Sequence, residues 1–148
     1  MDKYLYHVTP YAYLGKISKY GLRQQKSSET GNLGQRWIGI YLTEYSGIKF
    51  WSGWVFEKAL VESNKRNAQY KFIYHIIPTV LRTLRIKCDV DKGGTMDSGA
   101  RAYICKNIVI LPKDIEIFDC IKSIWIPINN WKTINLLGRE WDDPCAPV

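Results

Sequence analysis

The sequence predicts an α+β domain, with helices mainly in its first half and strands dominating its second. Three observations carry this. A strand, a short helix and a stop signal fit within the opening 22 residues. A second strand and an apolar-faced helix follow a polar stretch. Beyond them lies a series of short β-rich runs, punctuated by Pro and Gly, with no further helical period.

Lys3 to Val8 is rich in Tyr, Leu and Val and reads as a strand. Thr9 then stands as an N-cap and Pro10 as the first helical residue. Tyr13, Ile17 and Tyr20 recur at helical spacing. Gly21 sits where a left-handed residue ends a helix, with the apolar Leu22 after it. Arg23 to Arg36, rich in Gly, Ser and Gln, reads as a long loop of the kind that carries function or stays disordered. Gly39 to Thr43 is a second strand, with Ile40 and Leu42 on one face and Gly39, Tyr41 and Thr43 on the other. Ser46 is placed to cap a second helix that turns Ile48, Trp51 and Val55 to one side. Tyr70 to Ile77 is a third strand stopped by Pro78, Leu84 to Val90 a fourth, and Asp91 to Gly99 a loop. Short strands are expected over Ala102–Lys106, Ile115–Asp119 and Ile121–Ile126. Trp131 and Trp141, after Pro127, are expected to pack back on the domain.

Composition narrows the class. The 148 residues suit one domain over 1–148, and 46% hydrophobic content excludes a disordered chain. No run of about 18 or more apolar residues occurs, so no membrane span is expected. Met1-Asp2-Lys3-Tyr4 lacks the layout of a signal peptide, which makes the cytoplasm the expected location. Cys88, Cys105, Cys120 and Cys145 form no C-x-x-C pair and are expected to be buried reduced thiols there. A net charge of +7 points to an acidic partner, nucleic acid first, or to plain solubility. Six tryptophans and ten tyrosines could stack on unpaired bases or simply fill the core.

Chemistry-bearing residues are few. His75, within Phe72 to Ile77, reads as structural or surface. His7 ends the first strand beside a helix start, a position suited to a ligand. The order Leu5-Tyr6-His7-Val8-Thr9-Pro10, then Leu14, Ile17, Gly21 and Leu22, resembles the opening of the ADP-ribosyltransferase superfamily. Gly39-Ile40-Tyr41-Leu42-Thr43 resembles that family's second strand with its aromatic residue. Tyr103 to Lys106 and Ile108 to Ile115 resemble the strand and Ile-Pro turn after its third motif. The resemblance spans roughly residues 3 to 118.

It implies the ADP-ribosyltransferase fold, with split central antiparallel sheets, and NAD as co-substrate. His7 would hydrogen-bond the ADP-ribose and Tyr41 would stack on nicotinamide, with Thr9 beside them. Arg23 and Arg36 flank the long loop and are candidates for the pyrophosphate. The third motif departs from the pattern: the slot of the family's glutamate falls on Ala102. No acidic residue lies between Asp97 and Asp114. Three readings stay open: an inactivating substitution made so that a toxic enzyme could be produced, a natural pseudoenzyme, or an acid from elsewhere such as Asp97 or Glu44. The missing group matters because cleavage of the nicotinamide bond builds an oxocarbenium-like sugar, which a carboxylate stabilises while activating the nucleophile.

Small basic members resemble toxins that modify DNA or RNA, paired with an antitoxin and sometimes serving phage defence. The loops Arg23–Arg36 and Asp91–Arg101 would then shape the donor and acceptor sites. An NAD-using RNA phosphotransferase of the same fold needs a set of basic residues not found here. The alternatives are a non-catalytic nucleic-acid- or protein-binding module on the same fold, or a transferase with a protein target.

Overall fold

The computed structural model describes residues 3–24, 39–65, 77–95 and 101–134. Among the described residues the order is β1 (Tyr4–Pro10), α1 (Leu14–Tyr20), β2 (Leu22–Arg23), β3 (Ile40–Thr43), α2 (Ile48–Lys65), β4 (Pro78–Leu84), β5 (Asp89–Thr95), β6 (Arg101–Cys105), β7 (Val109–Ile110), β8 (Glu116–Asp119) and β9 (Ile124–Pro127). Short 3-10 turns occupy Tyr11–Tyr13, Tyr45–Gly47, Pro112–Asp114 and Ile128–Thr133. Seven strands make one antiparallel sheet in the order β5-β6-β3-β1-β4-β8-β9, and β2 pairs with β7 apart from it. The α+β class is the one the sequence predicts.

The central strand β1 is buried on both faces. Leu5 joins Leu14 and Ile17 of α1, Leu42 of β3 and Leu81 of β4 in one apolar cluster. Tyr6 and Val8 pack on the opposite face with Ile48, Trp51 and Val55 of α2. Those three α2 residues form the apolar side expected of them. Each fully buried Leu or Ile contributes about 1.5–3 kcal/mol relative to exposure, and the sheet sandwiched between α1 and α2 collects many such terms.

The ladder between β1 and β4 is long, running from Tyr4 opposite Leu84 to Pro10 opposite Pro78. The two prolines face each other at a non-hydrogen-bonded position, where the ladder needs no N–H from either, and the Tyr11 N–H beyond them still donates to the Ile77 carbonyl at 3.0 Å. This corrects two expectations. Thr9 is a buried strand residue rather than an N-cap; Pro10 is extended, and no side chain caps the turn that follows. Pro78 opens a strand instead of closing one, and the proposed strand at 70–76 lies outside the described residues.

Further corrections fall on β5. The segment assigned to a loop from Asp91 is strand as far as Thr95, paired with β6 through an irregular register between Val90 and Thr95. Residues 85–88 connect β4 to it, where a strand over Leu84–Val90 is expected. Cys88, just before β5, lies beside Cys105 at the end of β6, with Cα atoms 4.7 Å apart, and the two form a disulfide. The reduced-thiol expectation is therefore withdrawn; a cross-strand neighbour is not visible as a spacing motif. Gly21 behaves as expected, with φ +80°, its N–H on the Ile17 carbonyl, and a backbone approach in which a Cβ would overlap the Ile110 carbonyl. Trp131 packs edge-on against Tyr11, as expected, while Trp141 lies outside the described residues. No helix among the described residues is long and apolar enough to cross a membrane.

Candidate functional site at the fork between β1 and β3

Strands β1 and β3 are joined by a single residue pair, Tyr6 opposite Thr43. A regular antiparallel ladder would continue with His7 opposite Leu42 and Val8 opposite Tyr41. It does not, although β1 stays paired with β4 on its other edge and β3 with β6 on its other edge. The sheet forks at this point. The Tyr41 carbonyl accepts from the His7 imidazole, whose Nδ1 lies 2.8 Å from it. A carbonyl can only accept, so Nδ1 carries the proton and donates.

Burial lowers the His7 pKa below the ordinary 6.5, and the bond to Tyr41 opposes this more weakly. By exposed surface the residue is half-buried. At neutral pH the ring is uncharged. With Nδ1–H committed, Nε2 offers a lone pair and has no bond to any described residue, so it can accept from a hydroxyl.

Strand alternation separates the faces. Tyr41 and Thr43 point to the α2 side, where Thr43 is opposite Ala102 and Tyr41 opposite Ile104 on β6. The Tyr41 ring lies 6.4 Å from that of Trp51 at 51°. Ala102 is buried beneath Phe50 and Trp51. His7 has the α1 side, opposite Leu81. The three motif positions thus occupy three adjacent strands, with Tyr41 and Ala102 on one face and His7 on the other, its ring bonded to the Tyr41 backbone carbonyl. Thr9 shares the face of His7 and is buried, its hydroxyl 3.4 Å from the Pro10 carbonyl.

The other expected residues are not gathered here. Arg23 is on β2, in the separate two-stranded sheet, with its guanidinium 5.5 Å from the Tyr20 ring centre. Arg36, Asp97 and His75 lie outside the described residues. Glu44 accepts a 2.7 Å bond from the Tyr103 hydroxyl. Tyr103 alternates with Ala102 along β6, so this carboxylate is engaged by the opposite face. Residues missed from the sequence are Thr43, Phe50 and Trp51, which surround position 102. Only the strand register, set by residues far apart in the chain, brings them together. No cluster of side chains suited to a metal ion occurs among the described residues.

A second surface feature lies at β2 and β7. The exposed Tyr20 ring is flanked by Lys19 at 5.2 Å and Arg23 at 5.5 Å. Beside it is an open depression of about 430 Å³ lined by Arg23, Gln24, Asn107, Ile108 and Val109. No protein family, curated protein or solved structure matches the chain.

Proposed function

We propose that the chain binds NAD at the fork between β1 and β3 and has the architecture of an ADP-ribosyltransferase acting on nucleic acid, as a toxin or phage-defence effector in the cytoplasm, with an antitoxin partner. The observation that carries this reading is the fork itself. There the His7 imidazole lies against the backbone carbonyl of Tyr41, the two residues that the family resemblance singles out. The resemblance implies split central sheets, whereas β1 and β3 remain neighbours within one seven-stranded sheet.

The residues present suit binding. A neutral imidazole whose Nε2 has no bond to a described residue can accept from a ribose hydroxyl. The Tyr41 ring is buried against Trp51 on the other face of the sheet, so stacking on nicotinamide would require it to be uncovered. NAD supplies the ADP-ribosyl group with nicotinamide as its leaving group. Ala102 fits the bond-breaking step poorly: a methyl group neither holds a sugar hydroxyl nor stabilises a developing cation. As written, the chain binds without efficient turnover, and a glutamate at 102 completes it.

A second reading has its own support. Ala102 is closed over by Phe50 and Trp51, as in a binding module that has lost the chemistry. Calorimetric titration with NAD separates binding from no binding: His7→Ala and Tyr41→Leu should each weaken it, and equal affinity in all three proteins removes the donor site. Labelled NAD offered with RNA, single-stranded DNA, duplex DNA and lysate then tests Ala102→Glu. Transfer should rise by about 10²–10⁴-fold with release of nicotinamide. Labelling of protein alone would favour a protein target, and no labelling would favour the non-catalytic module.

A further inference from the structure

Buried polar side chains nearly always find a partner, so the exceptions mark places where something is missing. Among the described residues three buried side-chain polar atoms have none: the Thr43 hydroxyl, the Trp51 indole nitrogen and the Ser52 hydroxyl. A serine within a helix can turn its hydroxyl to the carbonyl one turn back, so Ser52 has an alternative. The other two both border position 102. Thr43 is directly opposite Ala102 on the β3–β6 ladder, and Trp51 packs on the Ala102 methyl group. Directly opposed Cβ atoms in such a pair are about 4.5–5.5 Å apart, a gap that a glutamate side chain spans.

An indole N–H can only donate, and a threonine hydroxyl can donate. Two residues with unpartnered donors therefore border a side chain that has no polar atom. Glu44, next to Thr43 in sequence, is held by Tyr103 on the opposite face and does not serve them. We infer that Thr43 and Trp51 are positioning residues that hold a carboxylate anchored at position 102. This deepens the transferase reading of that position. The carboxylate would take the Thr43 O–H and the Trp51 N–H, and Phe50 would swing outward to admit it. Bonds of this charge-assisted kind are about twice as strong as neutral ones, so the pair would fix the acid in one orientation and favour its ionised form.

The test uses the whole chain and no NAD, so it stands or falls apart from NAD binding. In Ala102→Glu the Trp51 indole N–H resonance, assigned through Trp51→Phe, should move downfield and follow the titration of the introduced carboxyl group. Adding Thr43→Val should make that carboxyl roughly a tenfold weaker acid, the equivalent of one lost charge-assisted bond. In the parent chain Thr43→Val should leave the melting temperature unchanged or raise it, because it removes an orphaned hydroxyl. In Ala102→Glu the same change should lower it. Ala102→Gln provides a neutral acceptor, expected to shift the indole signal without pH dependence. An indole signal unmoved in both variants overturns the inference. So does failure of both to fold, which would mean that the donors face no room for an acceptor.

Discussion

His7 does two jobs with two nitrogens. Its Nδ1–H donates to the Tyr41 carbonyl across the fork, and its burial keeps the ring neutral so that Nε2 can accept. The depressed pKa also has a stability consequence with a definite sign. In the unfolded chain the histidine protonates near 6.5, while in the folded chain it resists until lower pH. The unfolded state then binds more protons in that window, so stability rises with pH there. The contribution is complete above about pH 6.5 and is lost as pH falls through the folded value. Denaturant midpoints measured from about pH 7.5 down to about pH 5 should decline more steeply for the parent than for His7→Gln. Glutamine can still donate to the Tyr41 carbonyl but does not titrate. Identical slopes would show that His7 is not held neutral. His7→Ala, which leaves that carbonyl without its donor, should cost about 1–3 kcal/mol at neutral pH unless water replaces the ring.

At the scale of elements, the turn at Gly21 and the β5–β6 ladder each rest on one local device. Gly21 has φ +80° and no space for a Cβ beside Ile110. Gly21→Ala should therefore destabilise by more than about 1 kcal/mol, and should loosen α1 and the β2–β7 pair first, as read by amide exchange. The Cys88–Cys105 disulfide closes a loop of sequence separation 17, for which chain entropy gives about 3 kcal/mol. A melting temperature that drops with dithiothreitol, and drops less after Cys88→Ser with Cys105→Ser because only the disulfide of Cys120 is then left to reduce, is the expected outcome. Elements with a strong local signature were legible in the sequence: β1, the α1–Gly21 stop, β3, the apolar side of α2, β6 and β8. Those set by distant partners were not. Pro78 reads as a stop, yet it begins β4 because Pro10 faces it and asks for no hydrogen bond. Gly93 and Gly94 read as loop, yet β6 holds their segment as strand. Two-residue strands such as β2 and β7 carry too little pattern to see. For the same reason His7 and Tyr41 could be singled out, while the bond between them, 34 residues apart, and the donors around Ala102 could not.

At the scale of the whole molecule, the net charge of +7 needs a location before it implies a partner. The Tyr20 surface supplies one. An exposed aromatic ring has Lys19 and Arg23 against it, beside the depression that Arg23 also lines, so a ring face and two cations lie together. These two contributions separate experimentally. Each phosphate contact releases condensed counterions, so the affinity for a single-stranded oligonucleotide should fall linearly with salt on a log–log plot. Lys19→Ala and Arg23→Ala should each flatten that slope by about 0.7, the amount for one single-strand phosphate contact. Stacking carries no such salt term. Tyr20→Ala should lower affinity by about 1–3 kcal/mol, roughly a factor of 5 to 150, and leave the slope unchanged. Single strands should bind more tightly than duplex, whose bases are already stacked on one another. If binding is absent at low salt, or flat across the salt series, the positive charge serves solubility and the search for an acceptor moves to proteins. If the slope changes as expected but Tyr20→Ala has no effect, the surface recognises phosphate alone. Duplex and single strand should then bind about equally per contact.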